Sequence, residues 1–134
     1  SNSRVGIGTV SPAKTLHIVS TTTDDTVLIT TDENSSTAAP VLGFKRNSAS
    51  PADSDYLGQI KFKGENDADQ EITYSKITGK ILDASDGTED GIIEFANIKA
   101  GAQTVTARLR SNELQLLNAQ TYQRNNQKQH VKIC

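Results

Sequence analysis

The sequence predicts an all-β protein built from antiparallel strands and hairpins, and three features carry that prediction. Apolar and polar residues alternate along the middle of the chain, which is the period of a strand with two unlike faces and not the 3.6-residue period of a helix. The segments between these runs are dense in Gly, Asp, Asn and Ser, the residues that turns use for left-handed backbone and local hydrogen bonds. No stretch has the apolar spacing of a long helix.

The first element is residues 4–18, RVGIGTVSPAKTLHI. Val5 and Ile7 share one face of a short strand, with Gly6 and Gly8 on either side of Ile7. Glycine permits positive φ or close chain approach, and Pro12 sets a turn. A phosphate-binding loop would need a third glycine or a Lys-Ser/Thr pair feeding a helix N-terminus. Neither is present, so the pair of glycines reads as a packing element, with Val5, Gly6, Ile7 and Gly8 expected close to an assembly axis. Shorter strands are expected at 15–19, 26–30 and 40–45, and a polar loop at 46–55 around Pro51.

Residues 56–110 read as a four-stranded antiparallel meander. In 56–63 (YLGQIKFK), Tyr56, Gly58, Ile60 and Phe62 point one way, and Gln59, Lys61 and Lys63 the other. The second strand, 71–82, begins with Ile72 and Tyr74 on one face and continues with Ile77 and Ile81 on the other. That one-residue phase change predicts a bulge or a change of packing partner near residues 75–76. Residues 91–100, with Phe95, form the third strand. The fourth is 104–110 (TVTARLR), with Val105, Ala107 and Leu109 inward and Thr106, Arg108 and Arg110 outward. Turns fall at 63–70 and 83–91, where Asp86-Gly87 and Asp90-Gly91 are favoured tight-turn pairs. The expected sheet core is Ile60, Phe62, Ile72, Tyr74, Phe95, Val105 and Leu109. The chain thus divides into an N-terminal element (1–55), the meander (56–117) and a Gln- and Asn-rich tail (118–134).

Composition narrows the function. The apolar share is 34%, or about 41% with the 9 glycines, below the ~45–50% usual for globular domains. With 3 Tyr, 3 Phe, no Trp and no Met, large core-forming side chains are scarce, which points to burial between neighbouring chains. A net charge of −2 provides no basic field for nucleic acid, and no apolar run reaches the ~18 residues of a membrane-spanning helix. The lone Cys134 has no intrachain partner. His17 and His130 form no motif, and no G-x-S-x-G stretch marks a nucleophile, so the chain reads as a non-enzyme with neither cofactor nor metal. The acidic turn with Asp83, Asp86, Glu89 and Asp90 lacks the alternating spacing of a calcium loop and reads as a solvated hairpin turn.

The N-terminal stretch resembles the VGIGT-x-SP-x-x-x-LH-V element of bacteriophage tail-fibre and related surface-fibre proteins. Residues 58–111 are similar to the segment that precedes this element in marine phage structural proteins, with an N-x-A turn, a D-G-T-E-D-G turn and a closing R-L-R strand in that order. The resemblance covers residues 4–19 and 56–111 and implies an elongated, fibre-like all-β module, intertwined or packed as a homotrimer. It also implies a structural role in a virion fibre, or an extracellular one, that supports host-surface attachment. The implied partners are further copies of the chain, other virion fibre proteins and a host surface glycan or protein. Two features depart from the pattern: no intramolecular chaperone–peptidase domain follows the R-L-R strand within these residues, and the polar tail has no counterpart. The Ser-Asn that precedes both VGI at 5–7 and the alternating ELQLL at 113–117 suggests one period of a modular shaft whose units stack end to end. A second reading is a cellular extracellular filament or adhesin subunit that assembles through strand edges or binds glycans.

Overall fold

The computed structural model describes residues 3–117; the polar tail, with His130 and Cys134, lies outside the described residues. The chain divides into two compact units, Ser1–Leu42 and Gly43–Cys134. The polar loop at 46–55 therefore groups with the sheet.

The first unit holds a two-stranded sheet of β1 (Val5–Ile7) and β2 (Leu16–Ile18). The two strands run parallel, with Val5 opposite Leu16 and Ile7 opposite Ile18. A parallel return usually needs a connection of a dozen or more residues; here residues 8–15 suffice because the loop folds back tightly on the strand. Gly8 takes a φ of 71°, and a Cβ there would lie 2.1 Å from the Val19 carbonyl oxygen. At Gly6 a Cβ would sit 2.5 Å from the Thr9 carbonyl oxygen. The strands expected at 26–30 and 40–45 do not form. Both segments have β-prone composition, but no strand pairs with either, and Leu28 and Val41 remain exposed.

The second unit is one antiparallel meander in sequential order: β3 (Tyr56–Glu65), β4 (Glu71–Asp83), β5 (Asp90–Lys99), β6 (Ala102–Arg110) and β7 (Glu113–Leu116). The turns follow local chemistry. Asn66 Oδ1 accepts hydrogen bonds from the Ala68 and Gln70 amides and closes the β3–β4 turn. Gly87 takes φ 85° between β4 and β5. Asp90-Gly91, expected in that turn, is instead the start of β5. Ala100 and Gly101 both have positive φ and make the two-residue hairpin between β5 and β6, whose right-handed twist such turns match.

Four bulges interrupt the ladder, at Leu57, Tyr74, Leu82 and Thr106, each an extra residue opposite one partner. The second lies one residue ahead of the predicted phase change. It does more than mark a switch: it turns Ile72, which pairs with Gly64, back onto the face that carries Ile60 and Ile77. The Tyr74 ring lies over the same Gly64, 3.4 Å from where its Cβ would be. The bulge at Thr106 has the opposite effect on Val105. It pairs with Ala96 and leaves the face shared by Ala107 and Leu109, correcting the simple alternation read along that strand. The bulge at Leu57 likewise pairs Tyr56 with Lys80 and moves it away from Ile60 and Phe62.

Candidate assembly surface

Cross-strand register sorts the sheet into two unlike faces. One row reads Gln59, Thr78, Glu94, Arg108 and Gln115 across all five strands. The next, on the opposite face, reads Ile60, Ile77, Phe95, Ala107 and Leu116. Flanking that apolar row is Gly58, Gly79, Ile93, Leu109 and Leu114. On its other side Phe62 stands beside Ser75, whose hydroxyl donates to Asn97 Oδ1 at 2.7 Å; Asn97 in turn donates to Thr106 Oγ1 at 3.1 Å. A polar ladder thus borders the apolar field at one end.

The polar face is the better covered of the two. Thr78 (2% exposed), Ala96, Ile92 and Glu94 (8%) are the buried residues among those described. Long side chains close over this face. The Glu94 carboxylate accepts from Arg108 Nε at 2.8 Å and lies 3.7 Å from Lys80 Nζ. Lys80 also stands 4.8 Å over the Tyr56 ring, and Gln59 donates to Thr78 Oγ1 at 3.1 Å.

The apolar face is open. Ile60, Phe62, Tyr74, Ile93, Leu109, Leu114 and Leu116 are each 42–62% exposed. Phe44 reaches it at one point, with its Cβ 2.9 Å from where a Cβ on Gly58 would be, and Gly79 beside it has nothing within 4 Å. The resulting hollow, about 300 Å³, is lined by Phe44, Leu57, Gly58, Ile60, Ile77 and Gly79.

Of the residues expected in the core, Ile60, Phe62, Ile72, Tyr74, Phe95 and Leu109 do gather on one face, joined by Ile77, Ile93, Leu114 and Leu116. That face is not a buried core, because the described residues of the sheet unit supply no second layer over it. Val105 lies on the other face with Ala96. In the N-terminal unit Val5 and Ile7 are 57% and 55% exposed. The close approaches at Gly6 and Gly8 are to this chain's own Thr9 and Val19, so a local, intrachain reason accounts for both glycines. The strand ends are tied by Val5 N–H to the Thr15 carbonyl and Val19 N–H to the Ile7 carbonyl, 2.8 and 2.9 Å. His17 Nδ1 accepts the Ala13 amide at 3.2 Å.

The alternation in residues 113–117 was a sufficient signal for Leu114 and Leu116. Nothing in the sequence signalled the Lys80–Glu94–Arg108 cluster, since its members lie on three strands and meet only through register. In the acidic turn, the Asp83 carboxylate accepts the Ser85 amide at 2.8 Å, and that bond, with help from the Ser85 hydroxyl, holds its pKa below the usual carboxylate range. Among the described residues no group of three or more His, Cys, Asp or Glu side chains is placed to hold a metal ion. Among the described residues no helix is long and apolar enough to cross a membrane. No family model, curated protein or solved structure matches the chain.

Proposed function

We propose that this chain is a structural subunit of a viral tail fibre or related virion fibre, working by assembly of identical copies into a homotrimer and supporting attachment to a host surface. The observation that supports this reading is the open apolar face of the sheet. Stable domains pack two layers around one core, and the described part of the sheet unit contributes one layer only. The exposed apolar side chains on that face offer on the order of 600 Å², at the upper end of the largest patches on soluble monomers and approaching the roughly 800 Å² per partner of a standard interface. Further copies of the same face supply the missing layer in the simplest closed arrangement. The resemblance of residues 4–19 and 56–111 to fibre proteins provides the biological setting.

Light scattering of the purified chain together with negative-stain imaging tests the proposal. Closed trimers with an elongated outline are expected, and a monodisperse monomer at high concentration would overturn the reading. Open-ended filaments would favour the second reading, a cellular extracellular filament or adhesin subunit. The feature that supports it is the ten-residue outer edge of β3, which among the described residues has no neighbouring strand and, apart from the Tyr56 carbonyl that accepts from Arg46, offers ladder positions for strand addition.

A further inference from the structure

The polar face of the sheet contains a cavity that assembly through the apolar face leaves untouched. Ser54, Lys80, Ile92, Glu94, Arg108 and Arg110 line a space of about 210 Å³. Three cations and one carboxylate surround it, a formal +2, although the whole chain is at −2. The Glu94 charge is already met by Arg108 and Lys80. Among the described residues the Arg110 guanidinium has no carboxylate or carbonyl acceptor, and the Ser54 hydroxyl has no partner either. The cavity therefore holds donors in excess, beside an acceptor-only carboxylate fixed between two cations.

Its rim is rigidly placed. Ser54 is held at φ 69°, a left-handed conformation that costs a residue with a Cβ and tends to persist where surrounding structure enforces it. The enforcing bonds are Ser54 N–H to the Ile81 carbonyl at 3.0 Å and Ile81 N–H to the Asp55 carbonyl at 2.9 Å. One residue earlier, Asp53 accepts the Ala84 amide at 2.9 Å and pins the loop to the end of β4. Strain is thus maintained at the one serine that faces the cavity.

We propose that this cavity binds an acidic monosaccharide, with the sugar carboxylate forked on the Arg110 guanidinium and ring hydroxyls shared between Ser54 Oγ and the Glu94 carboxylate. A planar guanidinium pairs with a carboxylate through two parallel hydrogen bonds, which an isolated ammonium cannot do. Glu94 can only accept, so it requires a ligand that carries hydroxyl donors and disfavours a bare anion. Ile92 gives the C–H face of a ring an apolar floor. The volume falls below the ~300–1,000 Å³ of pockets for drug-sized ligands, which limits the occupant to a single ring. One chain supplies every group, so the site stands whether or not the chain forms a trimer.

The test is titration of the full chain with sodium glucuronate, glucose and sodium sulfate, read by amide NMR shifts and calorimetry, with solution mass recorded in parallel. Glucuronate is expected to give saturable shifts at Ser54, Arg108 and Arg110 with a Kd in the millimolar range, and glucose and sulfate to bind at least about tenfold more weakly. R110Q should weaken glucuronate binding by about tenfold. S54G preserves the left-handed backbone, removes the hydroxyl and should weaken binding a few-fold. Absence of saturable shifts at these residues, equal binding of sulfate and glucuronate, or unchanged affinity in a folded R110Q chain would overturn the proposal. The parallel mass measurement reports on assembly separately, so loss of one reading does not entail loss of the other.

Discussion

The two faces of the five-stranded sheet invert the usual arrangement. The face built of Gln59, Thr78, Glu94, Arg108 and Lys80 is the covered one, and the face built of Ile60, Phe62, Ile93, Leu109, Leu114 and Leu116 is open. On the polar side, aliphatic stems of Lys and Arg lie over the sheet and their charges meet at Glu94, so that face is complete within one chain. Among the described residues of the sheet unit, the apolar side has no second layer. Half-exposed Leu, Ile and Phe side chains are worth about 1 kcal/mol each on being covered, and the described sheet unit by itself leaves that gain unrealised. The difference teaches that, within the described sheet unit, the polar face is closed by its own side chains and the apolar face is left open.

The strongest way to break this comparison is a charge on the open face. Phe62 is 54% exposed, so F62D should leave the chain folded while burying an unpaired carboxylate in any assembled interface. The association constant should fall by at least about a hundredfold, seen as a shift to monomer in light scattering. Retention of the oligomer would show that assembly does not use this face.

On the other face, E94A leaves Lys80 and Arg108 facing each other without an acceptor. Their side chains are 15% and 33% exposed, so the cost should be about 2–3 kcal/mol, below that of a fully buried pair. Urea denaturation at fixed protein concentration measures it, and a change under about 0.5 kcal/mol would mean the cluster is a solvated surface network.

A finer comparison lies within the apolar face. G58A places a methyl against Phe44 and should cost about 1 kcal/mol, whereas G79A meets nothing within 4 Å and should stay within about 0.5 kcal/mol. Equal effects would mean that Phe44 does not sit on the sheet.

The smallest expected effect concerns Asp83, at the end of β4. Its pKa is depressed in the folded chain, so the stabilisation from its charged form is complete above the usual carboxylate range and is lost as pH falls through the lower folded value. D83N keeps an acceptor for the Ser85 amide and removes the titration. The stability of the variant should fall less steeply below about pH 4 than that of the parent chain. Parallel pH profiles would assign the acid sensitivity elsewhere.

Much of the sheet was legible in the sequence. Period-two alternation located β3 to β6 within a few residues, because a strand with unlike faces has to alternate. The turns at 63–70 and at Asp86-Gly87 are equally local, set by the positive φ of Gly87 and by the Asn66 side chain, which bonds nearby backbone. Strands at 26–30 and 40–45 were misread because β propensity is realised only when a partner strand is present. The parallel pairing of β1 with β2 left no pattern, since three residues are too few to alternate. The glycines at 6 and 8 were recognised as close-approach residues, but what they approach is the chain's own backbone.

What the sequence determined by itself is therefore the strand class, most strand positions, the turns and the shortage of apolar mass for a closed core. Each depends on neighbouring residues or on composition. Which face every side chain occupies was decided only in the tertiary structure, because four bulges shift the two-residue phase and only register between strands reveals them. Those bulges return Ile72 to the side of Ile60, transfer Tyr56 and Val105 to the other, and bring Lys80, Glu94 and Arg108 together across three strands. They turn an alternating sequence into a sheet with one polar face closed by its own side chains and one apolar face left open.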